Sequence, residues 1–170
     1  MRRLVLFRHA KAERQAASGE DFDRALTERG RHDAQLIGRA LADAGVKPGL
    51  ALVSASARTR ETWAASGLGS DATEVRFERG LYNASLGQLR HAVESVEEAA
   101  ETIVLVGHNP ALHEFAVTLL IEGAASGAVL DRVKSKFPTA TAVVYDLDVA
   151  GRPLFAGLYL PKDYGGGAED

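Results

Sequence analysis

Three short runs of consecutive apolar residues predict buried β-strands, at residues 4–7, 50–53 and 103–106. An unbroken apolar run is typical of a strand that is covered on both faces, as in a parallel sheet with helices on either side. The runs therefore favour a mainly parallel sheet at the centre of the molecule.

Two segments between these runs have the spacing of amphipathic helices. Their apolar positions are Ala34, Ile37 and Leu41 in the first segment, and Leu86, Leu89, Val93 and Val96 in the second. Ser85 and Gln88 have the form of a capping box, which predicts where the second helix begins. Strands that alternate with helices predict an α/β fold.

A third helix is predicted directly after the strand at 103–106. Asn109 is a residue that can cap a helix, and Pro110 suits the first helical position. The helix would bury a stripe made of Leu112, Phe115, Ala116 and Leu119. His108 would then lie at the turn between a strand and a helix.

The last third of the chain predicts an antiparallel addition to the sheet. Residues 141–147 and 154–160 are rich in β-formers and are close enough to pair as a hairpin at one edge, which makes the sheet mixed. Residues 122–139 predict a loop or a short helix near the mouth of the site. We expect one domain over residues 1–164 and a flexible tail over residues 165–170, where three glycines precede Ala-Glu-Asp.

Composition and charge exclude several classes of protein. The 170 residues are 46% hydrophobic and carry a formal net charge of −3, without the basic clustering that nucleic-acid binding requires. The absence of cysteine excludes disulfides and thiolate chemistry. No apolar run is long enough for a membrane helix and no signal sequence is recognisable, so we expect a cytoplasmic protein.

Polar residues follow three of the predicted strands at the edge where α/β proteins bind ligands. Arg8 and His9 follow the first strand, residues 54–58 follow the second, and His108 follows the strand at 103–106. Arg58 would lie in the first turn of a helix, where the helix dipole disfavours a cation unless an anion lies nearby. Two guanidinium groups suit phosphate oxygens, and the helix that begins near Asn109 would add backbone N–H groups. The pattern predicts a site for a dianionic phosphoryl group.

A metal site is the alternative for one of these histidines. His108 and His113 are five residues apart, on either side of a predicted helix start. Their side chains would point in different directions, so we predict that the protein holds no metal.

Four segments, in this order, resemble those of a known family. They are Leu6-Phe7-Arg8-His9-Ala10-Lys11, Leu26-Thr27-Glu28-Arg29-Gly30, Ser54-Ala55-Ser56-Ala57-Arg58-Thr59-Arg60-Glu61-Thr62 and Val106-Gly107-His108-Asn109-Pro110. Together they resemble the histidine phosphatase superfamily, and within it the small SixA-type phosphohistidine phosphatases. The resemblance implies a three-layer α/β/α sandwich of the phosphoglycerate mutase-like kind, with a mixed, mainly parallel sheet.

The resemblance also implies a two-step phosphoryl transfer without a cofactor. His9 would be the nucleophile, Arg8 and Arg58 would bind the phosphoryl group, and His108 would support its charge. Asn109 is predicted as a capping or supporting residue that contributes to substrate binding. Lys11 is able to steer anions at the pocket rim, although an exposed lysine is the simpler interpretation.

The substrate depends on whether the chain supplies a general acid. Relatives that act on phosphate esters use a glutamate to protonate the leaving alkoxide, and Glu78 is a possible general acid here. The run Leu81-Tyr82-Asn83-Ala84-Ser85 resembles instead the SixA-type form, in which such an acid is commonly absent. Imidazole leaves phosphorus more readily than an alkoxide because its pKa is about 6.5.

We therefore expect a phosphohistidine phosphatase that acts on a partner protein, with a phosphorelay domain as one candidate. Two alternatives remain open from the sequence. One is a phosphatase or mutase for small phosphate esters, and the other is a phosphohistidine-binding module without turnover.

Overall fold

The computed structural model describes residues 1–167 and contains one six-stranded sheet flanked by helices. The strands are β1 (Arg3–Arg8), β2 (Leu50–Ser54), β3 (Glu74–Glu78), β4 (Thr102–Gly107), β5 (Ala142–Leu147) and β6 (Pro153–Tyr159). The helices are α1 (Glu28–Asp43), α2 (Ala57–Ser66), α3 (Leu86–Glu94), α4 (Ala111–Glu122) and α5 (Gly127–Ser135). Short 3₁₀ helices cover Asp21–Asp23, Arg79–Leu81 and Pro161–Tyr164.

The sheet is mixed and mainly parallel, in the order β3-β2-β4-β1-β5-β6. The first four strands in this order are parallel to one another, whereas β5 runs antiparallel to both β1 and β6. This arrangement confirms the predicted α/β class, the central parallel strands and the edge hairpin.

Alternation along the strands divides the core into two layers. Leu4 and Leu6 of β1 belong to a buried cluster with residues of α3, α4 and α5. Val5 and Phe7 belong to a second cluster, with residues of α1 and α2. Because successive side chains of a strand point to opposite faces, one short apolar strand contributes to both layers.

The helix starts match the predicted signals with one exception. Ser85 and Gln88 form the predicted capping box of α3, and the Thr27 side chain accepts a hydrogen bond from Gly30 N at the start of α1. The prediction that Asn109 caps α4 is wrong, because α4 begins at Ala111 and Pro110 occupies the cap position. The Asn109 amide donates instead to the Phe137 carbonyl, at 3.0 Å.

Residues 122–139 contain α5, which agrees with the predicted short helix. Phe137, two residues after the end of α5, is buried, and its carbonyl accepts hydrogen bonds from the Arg8 and Asn109 side chains. This segment therefore reaches the strand ends that carry the candidate residues.

The predicted tail falls partly outside the described residues. Gly166 N donates to Pro161 O at 2.9 Å, and Gly167 N donates to Asp33 Oδ1 at 3.1 Å. Residues 168–170 lie outside the described part of the chain. The flexibility of the tail stays a prediction.

None of the helices within residues 1–167 has the length and apolar character needed to cross a membrane.

Candidate active site

The register of three adjacent strands brings the predicted residues together. Arg8 is paired with Gly107 across β1 and β4, so His9 and His108 each follow a paired position at the same edge. Val53 is paired with Val106 across β2 and β4, which places Ser54 beside them. The carboxyl ends of β1, β4 and β2 thus form the floor of the site.

The His9 ring is buried and held in one tautomer. Its side chain is 8% exposed, and its ring centroid lies 5.4 Å from that of His108. His9 Nδ1 donates to the Ala10 carbonyl at 2.7 Å, since a carbonyl oxygen can only accept. In the neutral ring the proton is therefore on Nδ1, and Nε2 carries the free lone pair.

The surroundings keep the His9 ring neutral. Burial lowers the pKa of His9 from 6.5 to about 3, and the charges of Arg8, of His108 in its protonated form, and of Arg58 contribute in the same direction. The hydrogen bond to Ala10 acts in the opposite direction but does not compensate for burial. The unprotonated, nucleophilic form is thus the dominant one at neutral pH.

Arg58 lies in the first turn of α2 with its guanidinium bound to the 3₁₀ helix at Asp21–Asp23. Its Nη1 donates to the Asp21 carbonyl at 2.9 Å, and its Nη2 donates to Asp21 Oδ2 at 3.0 Å. The Asp21 carboxylate thus places a negative charge beside this cation, and the predicted binding of a phosphoryl group by Arg58 stays a prediction. Arg58 Nε is buried and has no hydrogen-bond partner within residues 1–167.

Asp21 also connects Arg58 to Tyr82. The Tyr82 hydroxyl donates to Asp21 Oδ2. This bond, followed by those from Arg24 and Arg58, holds the pKa of the Asp21 carboxyl well below its usual range. The Tyr82 ring packs edge-on against His108, with 5.6 Å between centroids. Asp21 therefore carries a negative charge beside Arg58 and Tyr82. Sequence analysis did not identify this residue.

His108 is held by the end of β2. Its Nε2 is hydrogen-bonded to Ser54 Oγ at 2.8 Å. Burial, followed by the charge of Arg58, lowers the pKa of His108 to about 4, although Asp21 partly opposes this shift. His108 Nδ1 is buried without a hydrogen-bond partner among the described residues. Buried polar atoms are nearly always paired, so this nitrogen is an exception among the described residues.

One carbonyl fixes two side chains on the opposite side of the site. Arg8 Nη1 donates to Phe137 O at 2.9 Å, and Asn109 Nδ2 donates to the same oxygen at 3.0 Å. Phe137 comes from the segment between α5 and β5, far from Arg8 in sequence. Asn109 therefore supports the position of Arg8, and its contribution to substrate binding stays a prediction.

Thr62 joins the loop after β1 to α2. Its hydroxyl accepts from Ala10 N at 2.9 Å and donates to Arg58 O at 2.7 Å. The residue that follows His9 is thereby fixed to the helix that carries Arg58. Thr62 lies four residues after Arg58, in the segment 54–62 that resembles the family. The sequence did not indicate that its hydroxyl would bind the loop after β1.

Glu78 lies at the end of β3, outside this group. Its side chain lines a cavity with Ser85, Gln88 and His91 on the α3 side of the molecule. Within residues 1–167, no hydrogen bond or ion pair links the Glu78 side chain to His9, Arg58 or His108. Glu78 is paired with Ser54 across β2 and β3, and its role as a general acid stays a prediction.

Lys11 lies two residues after His9, and its backbone carbonyl accepts hydrogen bonds from Thr27 at the start of α1. This contact fixes the backbone of Lys11. The steering of anions by its side chain stays a prediction.

The two histidines considered for a metal have other partners. His113 Nε2 is bonded to the Val133 carbonyl at 2.7 Å, and its ring stacks on Phe137. His108 Nε2 is bonded to Ser54. Among residues 1–167, no group of three or more His, Asp or Glu side chains is arranged to hold a metal ion.

Comparison with known proteins identifies a family and a related sequence. The model of the histidine phosphatase superfamily (branch 1) matches residues 4–139. The uncharacterized protein Rv1276c of Mycobacterium tuberculosis is 33% identical over 131 residues, which cover 77% of this chain and 80% of that protein.

Two solved structures are similar over nearly the whole chain. One is SixA of Agrobacterium tumefaciens, named as a candidate phosphohistidine phosphatase, with a TM-score of 0.81 and 29% sequence identity. The match covers 94% of this chain and 98% of the SixA chain. The other is a protein of Nakamurella multipartitia, also named as a candidate phosphohistidine phosphatase SixA, with a TM-score of 0.81 and 30% sequence identity. The match covers 94% of this chain and 96% of the Nakamurella chain.

Proposed function

The chain belongs to the histidine phosphatase superfamily, and on this premise we propose that it removes phosphate from a phosphohistidine of a partner protein through a phospho-His9 intermediate. The observation that carries the proposal is the state of the His9 ring. Its Nδ1 proton is bound to Ala10 O, its Nε2 accepts no hydrogen bond from the part of the chain that the structure describes, and its pKa is lowered to about 3. A buried neutral imidazole beside two guanidinium groups is suited to attack phosphorus.

The first step transfers the phosphoryl group to His9. Nε2 forms a bond to phosphorus while the bond between phosphorus and the substrate imidazole nitrogen breaks, and that nitrogen keeps the electron pair. The other nitrogen of the substrate ring carries a proton, so the ring leaves as neutral imidazole. In the second step, water attacks phosphorus and the bond to Nε2 breaks, which releases inorganic phosphate and restores the neutral ring. The in-line geometry requires each leaving nitrogen to lie opposite the attacking atom.

The cationic groups stabilise the charge on the transferring group. Arg8 and Arg58 contribute planar donors for phosphoryl oxygens. His108, with its pKa lowered to about 4, is neutral at pH 7 and contributes a hydrogen bond rather than a charge. Such preorganised donors lower the barrier because they need no rearrangement when charge develops.

The choice of phosphohistidine is supported by the position of Glu78 and by the solved SixA structures. Within residues 1–167, no carboxylic acid is hydrogen-bonded to His9 to serve as the proton donor for an alkoxide, whereas imidazole is a good leaving group near neutral pH. The two similar structures at 29% and 30% identity carry the phosphohistidine phosphatase designation.

The test is mass spectrometry of the protein after incubation with phosphoramidate and with a phosphohistidine peptide. We expect wild type to gain one phosphoryl group on His9 and to release inorganic phosphate, whereas His9→Ala does neither. The exposed residue His32 on α1 provides the matched control, and His32→Ala is expected to behave as wild type.

Three outcomes would contradict the proposal. Tight binding of the peptide without a covalent intermediate would identify a binding module. Faster turnover of sugar phosphates than of phosphohistidine would identify an ester phosphatase. A phosphoryl group on another residue would exclude His9 as the nucleophile.

A further inference from the structure

We propose that a basic cavity beside Arg8 binds an acidic side chain of the partner protein, close in sequence to its phosphohistidine. This inference rests on the proposed function and names a feature of its substrate. The cavity, here called the Arg8 cavity, has a volume of about 410 Å³, and its lining includes Arg8, Lys136, Phe137, Pro161 and Lys162.

The Arg8 cavity adjoins the candidate active site. Arg8 contributes to both, and the Phe137 carbonyl that fixes its guanidinium belongs to a residue of the cavity wall. A substrate with its phosphoryl group between Arg8 and His9 would therefore extend a neighbouring side chain towards this cavity. Its position suits a residue of the substrate rather than an unrelated ligand.

The lining has one sign of charge. Lys136 and Lys162 are exposed, and neither forms an ion pair with a residue in the range 1–167. No Asp or Glu among these residues lines the cavity. The nearby Asp163 is paired with Arg132 at 3.4 Å, outside the lining. In a chain with a formal net charge of −3, this concentration of positive charge selects an anionic partner.

The walls are fixed before any ligand binds. Phe137 is 4% exposed and its ring stacks on His113. On the other side, Gly166 N is bonded to Pro161 O, and Gly167 is bonded to Asp33 of α1. A preformed cavity loses little conformational entropy on binding, so even a single carboxylate is able to add measurable affinity.

Two lysines at an exposed mouth favour a carboxylate as the occupant. Lysine is a hydrated point charge that does not impose the planar geometry of arginine, so it suits a mobile Asp or Glu side chain. The fixed guanidinium groups of Arg8, which is half-buried, and of Arg58, which is buried, remain for the phosphoryl group. The occupant is thus predicted to be a carboxylate of the same polypeptide.

The test uses phosphohistidine peptides that differ only beside the phosphorylated residue. One peptide carries Glu on both sides of the phosphohistidine and the other carries Gln, which has the same shape without the charge. For wild type we expect kcat/KM for the Glu peptide to exceed that for the Gln peptide by roughly three- to fivefold, the effect of exposed ion pairs. Lys136→Glu and Lys162→Glu are each expected to lower this ratio to one or below.

Lys134→Glu is the matched control. Lys134 is an exposed lysine of α5 that does not line the Arg8 cavity, and its reversal changes the net charge equally. We expect Lys134→Glu to keep the wild-type ratio. Because each variant is judged by its own ratio of two peptides, a partial loss of folded protein does not affect the result.

Two results would overturn the inference. One is a ratio of one for wild type, and the other is an equal fall of the ratio in Lys134→Glu, which would indicate a general charge effect. Failure of the proposed function is distinguishable, because the Gln peptide would then not be hydrolysed and no phospho-His9 would form. Hydrolysis of the Gln peptide without a preference for Glu rejects only the Arg8 cavity.

Discussion

Burial and a single hydrogen bond set the chemical state of the His9 ring. Transfer of an imidazole into a site that already holds two guanidinium groups disfavours its protonated form. The Ala10 carbonyl then determines which nitrogen keeps its proton. Neutrality and tautomer are thus controlled by separate neighbours, and both leave Nε2 available.

Asp21 competes for the same guanidinium that a phosphoryl group would use. Its carboxylate is bound to Arg58 at 3.0 Å, and its side chain is 52% exposed. We expect Asp21→Asn to bind inorganic phosphate more tightly by roughly two- to fivefold, because the substitution removes one negative charge near the site. Isothermal titration calorimetry measures the change.

Asp23→Asn is the control for Asp21→Asn. Asp23 lies in the same 3₁₀ helix and is hydrogen-bonded to Ser18 rather than to Arg58. Its variant should bind phosphate as wild type does. Weaker binding by Asp21→Asn would show instead that Asp21 acts mainly by holding Arg58 in position.

The proximity of the central residues of the candidate site could be predicted from the sequence. His9, Arg8 and His108 are recognisable because they directly follow apolar strands, and the ends of parallel strands share an edge. Asp21 and the Phe137 carbonyl were not recognisable, because each reaches the site through a loop whose path depends on tertiary packing. A backbone carbonyl carries no signal in the sequence.

Close packing between α1 and α2 depends on a residue without a side chain. A Cβ atom on Gly38 would lie 1.8 Å from the Ser66 carbonyl oxygen. Because the Ser66 carbonyl belongs to the backbone of α2 and cannot rotate away as a side chain can, Gly38→Ala would force the helices apart. We expect the free energy of unfolding to fall by roughly 1–3 kcal/mol or more, as measured by urea denaturation.

Gly87 of α3 provides the comparison for Gly38. The nearest atom to a Cβ at this position is Ser85 Oγ at 4.0 Å, so an alanine fits. Gly87→Ala is expected to be neutral or to stabilise the protein by up to about 1 kcal/mol, since alanine has the higher helix propensity. Equal effects of the two substitutions would argue against the close approach of α1 and α2.

The elements that the sequence predicted are those with two buried faces or a strong start signal. β3 was not located, because this edge strand contains Glu74, Arg76 and Glu78 and lacks an unbroken apolar run. The start of α4 was misplaced because the Asn109 side chain is held by the Phe137 carbonyl, and its Oδ1, the atom that would cap the helix, has no hydrogen-bond partner within residues 1–167. Local capping preferences are weak compared with such a tertiary contact.

The buried histidines couple the stability of the whole molecule to pH. The unfolded chain binds a proton at each histidine near pH 6.5, whereas the folded pKa values are about 3 for His9 and about 4 for His108. Their contribution to stability is complete above pH 6.5. It is lost as the pH falls from 6.5 towards 3, because only the unfolded state takes up the protons.

We therefore expect His9→Gln to reduce the pH dependence of unfolding. Between pH 6.5 and 4.5, where most carboxylates remain ionised, the wild type should lose about 2 kcal/mol more than the variant. Urea denaturation at a series of pH values measures both. The exposed His32 again supplies the control, and a parallel decline in wild type and His9→Gln would contradict the burial of the His9 ring.

The position of β1 in the sheet has a consequence for the order in which the protein can mature. β1 precedes the other strands in the sequence, yet its neighbours β4 and β5 begin at residues 102 and 142. During synthesis on the ribosome, the segment with His9 must wait for both partners and for the Phe137 carbonyl that fixes Arg8. A chain synthesised only as far as β3 thus carries His9 without the strands that flank β1, and the candidate site can form only after β5 has been made.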